Sequence, residues 1–396
     1  MNRLATFAGY SGFVLLGWNA VLVPALIQSI QQDFRQADAA FGLFFFVSAL
    51  LYAAGSFSGG FLTERVGRRA VLALATLLLG VGLGDEALAP SWLGFLLAAL
   101  VVNAGAGAID GGVNALVLDL YPHARGGALN RFHFSFSLGA LVSPVVVGQL
   151  VAAGLPWRAV VLASGAGIVA FAGLFGAARL PSGRRVRVPV MSPGETFTRA
   201  EQSLLPFAGL AIGICCYIAA EMGVSSWLVK SLAGVPVATA TAVLSIFWGG
   251  SALGRLLSNW IAERLHYGVF TVGCIVGGSV ALVAAVLVPL LPLTAALYGL
   301  AGLCYGPVYP MILAIGGNLY PRRLAALSGN LGAAAVVGSV VYPPLVSLMA
   351  TPLGLRAGLV GAGLLGVPTA LAIIAGYAVS RRAAAVPEDP ALEAAS

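Results

Sequence analysis

Long apolar runs bounded by charge or proline dominate the chain. They predict twelve membrane-spanning helices near 4–30, 39–62, 70–84, 92–118, 128–151, 157–178, 204–229, 238–261, 268–289, 293–316, 327–349 and 356–380. A spanning helix needs about 20 mostly apolar residues, a length most of these runs supply. Between the sixth and seventh runs, Pro181 to Glu201 holds Ser182, Gly183, Arg184, Arg185, Arg187, Pro189, Pro193 and Gly194, too polar to span. The pattern therefore predicts one bundle over 1–180, a linker over 181–203, a second bundle over 204–382 and, with Pro387, Glu388, Asp389 and Pro390, a disordered tail over 383–396. The first run follows a single Arg3 without a small-residue cleavage site, which predicts a retained span instead of a removed signal peptide.

Composition narrows the class further. In 396 residues 59% are hydrophobic and 9% charged, where a soluble domain carries roughly a quarter charged. That excludes a water-soluble globule and a disordered chain. The 52 glycines suit helices packed closely in lipid, whereas a membrane β-barrel would show weakly alternating strands. Cys215, Cys216, Cys274 and Cys304 fall inside predicted spans without ligand-like spacing, so they read as packing residues, and no metal or other cofactor is expected.

The net charge of +7 changes meaning once the charges are located. Of the 21 basic residues, only Arg35, Arg158, Lys230 and Arg356 fall on one side of the predicted topology; the others, Arg255 among them, are assigned to segments on the side of the termini. By the positive-inside rule this places both termini in the cytoplasm and makes the basic balance topological, with no nucleic-acid partner. Abundant arginine and alanine point to a GC-rich bacterial genome, and so to a multi-pass protein of the cell inner membrane, expected as a monomer.

The halves repeat. A shift of 199 residues superposes Gly55 on Gly254, Glu64-Arg65 on Glu263-Arg264, Gly107 on Gly306, Leu120-Tyr121-Pro122 on Leu319-Tyr320-Pro321, Gly139 on Gly338 and Pro144 on Pro343. After the second span, Gly60-Phe61-Leu62-Thr63-Glu64-Arg65-Val66-Gly67-Arg68-Arg69 resembles the signature loop of the major facilitator superfamily, with Glu64 where aspartate is commoner. The resemblance implies two pseudo-symmetric six-helix bundles, an all-α membrane fold, with a substrate site between them at mid-membrane. It also implies a gating role for Gly60, Glu64, Arg65, Gly67, Arg68 and Arg69, whose contacts across helix ends form in one conformer and break in another.

Three further segments resemble the fucose:proton symporter type of sugar transporter: Gly17-Trp18-Asn19-Ala20-Val21-Leu22-Val23-Pro24; Asp110-Gly111-Gly112-Val113-Asn114 with Leu129-Asn130-Arg131-Phe132-His133-Phe134; and Tyr217-Ile218-Ala219-Ala220-Glu221 leading to Trp227. Ala20 stands where many of these symporters have an acid, a departure that bears on the coupling scheme. Of the 14 acidic residues, Asp110 and Glu221 lie well inside spans; the rest, Glu86 included, are assigned to loops, span ends, linker or tail. A charge at the bilayer centre costs about 2.5–3.5 kcal/mol on insertion scales. Neutralising an ordinary aspartate at pH 7 costs roughly 4 kcal/mol. The two are comparable, so Asp110 is the candidate proton carrier; its alternative is a packing bond to Asn103, Asn114 or a backbone group. Glu221 either binds sugar hydroxyls or braces its helix against Ser225 or Ser226. Asn19 and Asn114 offer donor and acceptor to a hydroxyl-rich solute or join helices. Trp18, Trp227, Trp248, Tyr305 and Tyr309 are candidate platforms for a sugar ring, or packing residues. His133 reads as a surface or capping histidine ahead of a proton relay.

These expectations converge on a secondary transporter, not an enzyme, that imports a monosaccharide-like solute with protons by alternating access. An exporter of drugs or lipids on the same fold, or an uncoupled sugar facilitator, are the alternatives.

Overall fold

The computed structural model describes residues 3–121, 125–177, 180, 204–262, 266–320 and 324–385. Among them are fourteen helices: α1 (Arg3–Phe34), α2 (Asp38–Arg65), α3 (Arg68–Leu88), α4 (Trp92–Leu120), α5 (Arg125–Ala152), α6 (Trp157–Ala177), α7 (Leu204–Ser231), α8 (Val237–Ala262), α9 (Tyr267–Leu287), α10 (Leu291–Tyr305), α11 (Val308–Leu319), α12 (Leu324–Leu353), α13 (Leu355–Leu364) and α14 (Gly366–Ala385). Taking α10 with α11 and α13 with α14, twelve segments are long and apolar enough to cross a membrane. Two predicted spans are thus broken. Proline explains both breaks: Pro307 and Pro310 interrupt the tenth and Pro368 follows the kink in the twelfth, each lacking the N–H that the helix ladder requires. The linker at 181–203 lies outside the described residues. Of the expected tail, α14 reaches Ala385, and 386–396 lie outside the described residues.

The first six helices pack chiefly on one another, through α2 with α4, α3 with α6 and α1 with α5; the second set does the same through α7 with α12, α7 with α14 and α8 with α10. Lipid tails are as apolar as leucine, so close approach at small residues does the work that water exclusion does in soluble proteins. A Cβ on Gly107 would overlap the Tyr52 carbonyl, and one on Gly306 would overlap the Ser251 carbonyl. Both pairs are related by the 199-residue shift, so the repeat read along the chain recurs as a repeat of helix contacts.

The loop joining α2 to α3, with Arg65 and Arg69, marks what is called here the basic face; α1 and α7 end on the opposite face. The two halves meet through α5 with α8, α2 with α12 and α1 with α7. Several of the named contacts lie toward the opposite face. Gln28 Nε2 donates to the Val229 carbonyl at 2.7 Å, Lys230 Nζ lies 3.5 Å from Asp38, and the Phe45 ring meets Trp227 edge-on at 5.4 Å. By contrast, α4 and α11 make their substantial contacts only within their own halves.

Two charges sit elsewhere than the sequence suggests. Glu86, assigned to a span end, is on the last turn of α3 but only 1% exposed. Arg255, counted with the basic loops, is inside α8 and 8% exposed. A single arginine seven residues from a helix end reads as a terminal charge only until packing shows what surrounds it.

Candidate substrate and coupling site

Asp110 lies about ten residues from the end of α4, in a segment lined by glycines that bring α2 against it: a Cβ on Gly111 would overlap the Ser56 carbonyl. Its half-buried carboxylate accepts from Ser56 Oγ and from Asn114 Nδ2, both at 2.9 Å, with the Tyr52 hydroxyl beside it. Tyr309, on α11 of the other half, lies within electrostatic range. The expected bond to Asn114 is present; Asn103 instead donates to its own helix at Ala99. Asp110 therefore faces the seam between the halves and not lipid. Its counterpart at the 199-residue shift is Tyr309, and that of Ser56 is Arg255.

Arg255 is the centre of the second cluster. Its Nη1 donates to Ser137 Oγ at 2.6 Å and to the His133 carbonyl at 3.1 Å, both on α5 across the seam. Its Nε donates at 3.3 Å to the Gly306 carbonyl. Pro310 has no N–H for that carbonyl, so the guanidinium occupies the acceptor that the helix break frees. Its Nη2 lies 3.9 Å from Glu221 Oε1, beyond hydrogen-bond length but close enough for ion pairing; Glu221 is 2% exposed. Glu221 is thus matched to a cation, a contact foreseen by neither reading of it, while Ser225 accepts from Trp248 Nε1 at 3.1 Å. A Cβ on Gly139 would overlap the Val14 carbonyl and one on Gly338 the Cys215 carbonyl. That relates α1 to α7 by 201 residues and sets Glu221 at the level of Ala20, where the symporter resemblance expects an acid.

The remaining residues divide by exposure. Asn19 is half-buried and has no polar partner among the described residues, leaving its amide free. Trp18 donates to Ser164 at 3.2 Å within its own half. Trp227 is fully buried and donates to the Pro343 carbonyl at 2.8 Å. Trp248, 1% exposed, meets Phe136 edge-on across the seam. Tyr305 is buried against Ser279 and Tyr217. In this conformation the last three rings are enclosed by protein, whereas Tyr309 is half-buried, its ring 6.1 Å from His133. His133 is in the seam, packed on Phe13 at 4.8 Å, and not at a surface or helix cap. Neither of the cavities described among these residues contains Asp110: one is a crevice beside Tyr217 and Tyr305, the other opens on the opposite face. The Asp110 carboxylate stands half-buried at the seam.

In the signature loop, Gly67 adopts φ 95°, a conformation that favours glycine and turns the chain sharply into α3. Arg68, 5% exposed, pairs at 2.5 Å with Asp119 on the last turn of α4, and Arg65 lies over Phe61. Arg69 is exposed, and Gly60 touches Gly111 only at ordinary contact distance. The side chain of Glu64, together with Glu263 and Arg264 of the repeat, lies outside the described residues. Sequence reasoning missed Ser56, Tyr52 and Ser137, and misplaced Arg255. The signal for two of them was available in the same shift that revealed the repeat, because it sets Ser56 and Asp110 over Arg255 and Tyr309.

The profile of the Major Facilitator Superfamily matches residues 8–328. The gentisate transporter of Corynebacterium glutamicum is 26% identical over 94% of this chain and 89% of its own length. The sodium-dependent glucose transporter 1A of Mus musculus is 24% identical over 35% of this chain; the match spans 32% of the mouse protein. Among solved structures, a bacterial homologue of the human lysosomal transporter Spinster, inward-facing and occupied, superposes with a TM-score of 0.76 at 17% identity, covering 96% of both chains. Twelve apolar crossings in two repeated bundles, together with a profile match over most of the length, identify this chain as a membrane transporter belonging to the Major Facilitator Superfamily.

Proposed function

We propose that the chain imports a small polyhydroxylated solute, a monosaccharide, with protons, by rocking two bundles, residues 1–180 and 204–382, about the seam. The basic face is then cytoplasmic and the membrane is the bacterial inner membrane. The observation that carries this reading is Asp110, half-buried, hydrogen-bonded to Ser56 and Asn114 and facing Tyr309. A carboxylate held by neutral donors can take up and release a proton as its access to water changes with the conformer. Asn114 and the free amide of Asn19 offer paired donors and acceptors to hydroxyls, Tyr309 and Trp18 offer partly exposed ring surface, and Glu221, tied to Arg255, responds when the seam parts. Trp227, Trp248 and Tyr305 become available to a ring only in a conformer that opens their surroundings. The signature loop, with Arg68 on Asp119, sets the gate on the basic face. One charge crossing 100 mV carries about 2.3 kcal/mol, enough for roughly fifty-fold accumulation.

The expected outcome in proteoliposomes is sugar accumulation driven by an imposed proton gradient, lost in Asp110→Asn while counterflow exchange persists. Unchanged accumulation in that variant overturns the coupling assignment; accumulation driven by sodium alone replaces the proton, and exchange without accumulation in the unaltered protein makes it a facilitator. A second reading is favoured by one observation, the buried Arg255 cation in the seam, together with the gentisate transporter's likeness over nearly the whole chain: the solute is a hydroxylated aromatic carboxylate. Competition of gentisate against a panel of monosaccharides separates the two.

A further inference from the structure

On the opposite face, where α1 and α7 end side by side, a cavity of about 370 Å³ is lined by Gln28, Gln31, Gln32, Gln36, Arg35 and Lys230. Lys230 is partly compensated by Asp38 at 3.5 Å, and Asp38 does not line the cavity. Arg35 is exposed and has no counter-ion among the described residues, so the lining carries one uncompensated positive charge. Gln31 is 8% exposed. Its Nε2 donates to Asp38 Oδ1 at 2.6 Å. Because a carboxylate only accepts, this bond fixes the orientation of the amide and leaves Gln31 Oε1 as a buried acceptor without a donor. A buried acceptor left unmatched is costly; the oxygen is enclosed as the side chain now lies, and a turn of this side chain, which lines the cavity, would present it to a ligand's donor.

The backbone adds a second oddity. Gln36 N–H donates to the Gln31 carbonyl, the bond that closes a helix with its following residue in the left-handed region. Glycine fills the equivalent position at Gly154, where Leu155 N–H donates to the Leu150 carbonyl; here it is Arg35, with φ 53°, the one non-glycine residue at positive φ among those described. A cation is kept at the rim where glycine would be easier.

We propose that this cavity binds a small hydroxycarboxylate monoanion, its carboxylate on the Arg35 guanidinium and a hydroxyl donating to Gln31 Oε1. One net charge calls for a monoanion, and planar carboxylates suit the guanidinium fork. The volume is that of an ordinary small-molecule pocket. Because α1 and α7 belong to different halves, the cavity is complete only while this face is closed. Its occupant therefore favours that conformer and slows turnover, distinct from any solute at the Asp110 seam.

The test is isothermal titration of the full chain in phosphatidylcholine nanodiscs with gluconate, and with sorbitol as its neutral counterpart. Gluconate should bind at least tenfold more tightly than sorbitol. Arg35→Gly, which relieves the backbone and so keeps the fold, should weaken gluconate at least tenfold, while Asn114→Leu and Asp110→Asn leave it unchanged. Binding indifferent to Arg35→Gly overturns the site. Loss in Asp110→Asn moves it to the seam and also overturns it, as does loss in phosphatidylglycerol nanodiscs, which would make the cavity a lipid headgroup site. Failure of sugar uptake leaves the titration readable, since binding is measured without flux and the Arg35→Gly and Asp110→Asn arms assign it to one site or the other.

Discussion

Arg255 shows how one side chain can hold two bundles together and yet be released. Three of its contacts are to neutral acceptors, on α5 and at the α10–α11 break, and the fourth, to Glu221, is stretched to 3.9 Å. Removing the cation leaves the Glu221 carboxylate, 2% exposed, without a counter-charge. Breaking a buried pair in this way costs about 3–5 kcal/mol. Arg255→Ala is therefore expected to lower the thermal unfolding temperature in detergent strongly, and Glu221→Gln in the same background to restore part of the loss. A double variant no more stable than Arg255→Ala alone would show that the acid does not feel the guanidinium. Asp110 was legible in the sequence because a carboxylate deep in an apolar run has few places to go. Arg255 and Glu86 were not, since hydropathy cannot separate a charge that caps a helix from one folded inward a turn or two earlier.

Among the elements, the twelve crossings follow from apolar length, and the structure keeps them with ends shifted by a few residues. What length could not convey is where a crossing breaks: the tenth run is uninterrupted in hydropathy, and only the spacing of Pro307 and Pro310 divides it into α10 and α11. The glycines were read as a composition that suits close packing; the structure gives particular ones a task. Gly107 brings α4 onto the Tyr52 carbonyl of α2, and Gly306 does the same for Ser251 of α8. Valine at either position forces the helices apart at the level of the seam, with an overpacking cost of about 1–3 kcal/mol. Gly107→Val should also displace Ser56 from Asp110 and disturb coupling, whereas Gly60→Ala, where a Cβ meets only ordinary contacts, should leave unfolding temperature and transport nearly unaltered. Equal effects of the two substitutions would remove the argument from close approach.

For the whole molecule, the contacts that close the opposite face are the ones a rocking motion must open. Gly42 on α2 lies against Ser347 on α12, close enough that a Cβ on Gly42 would sit 2.8 Å from that of Ser347. A disulfide places its two Cβ atoms about 3.5–4.5 Å apart, so a shift of about 1 Å accommodates one. With Cys215, Cys216, Cys274 and Cys304 first replaced by alanine, the pair Gly42→Cys and Ser347→Cys should oxidise readily in the conformer described here. If alternating access requires these helices to separate, the oxidised protein cannot expose the seam to the opposite face: solute exchange should stop and return on reduction. The Ser347→Cys variant alone should transport at the rate of the cysteine-free background. Full transport by the cross-linked protein, with the bond verified by mass spectrometry, would mean that the halves need not part at α2 and α12, and the rocking motion would have to be abandoned for one confined to α4 and α11. Binding at the Asp110 seam from the basic face should survive oxidation, because α4 and α11 make their substantial contacts only within their own halves. Loss of both binding and exchange would point to distortion of the fold by the new bond, so the binding measurement tells a locked transporter from a damaged one.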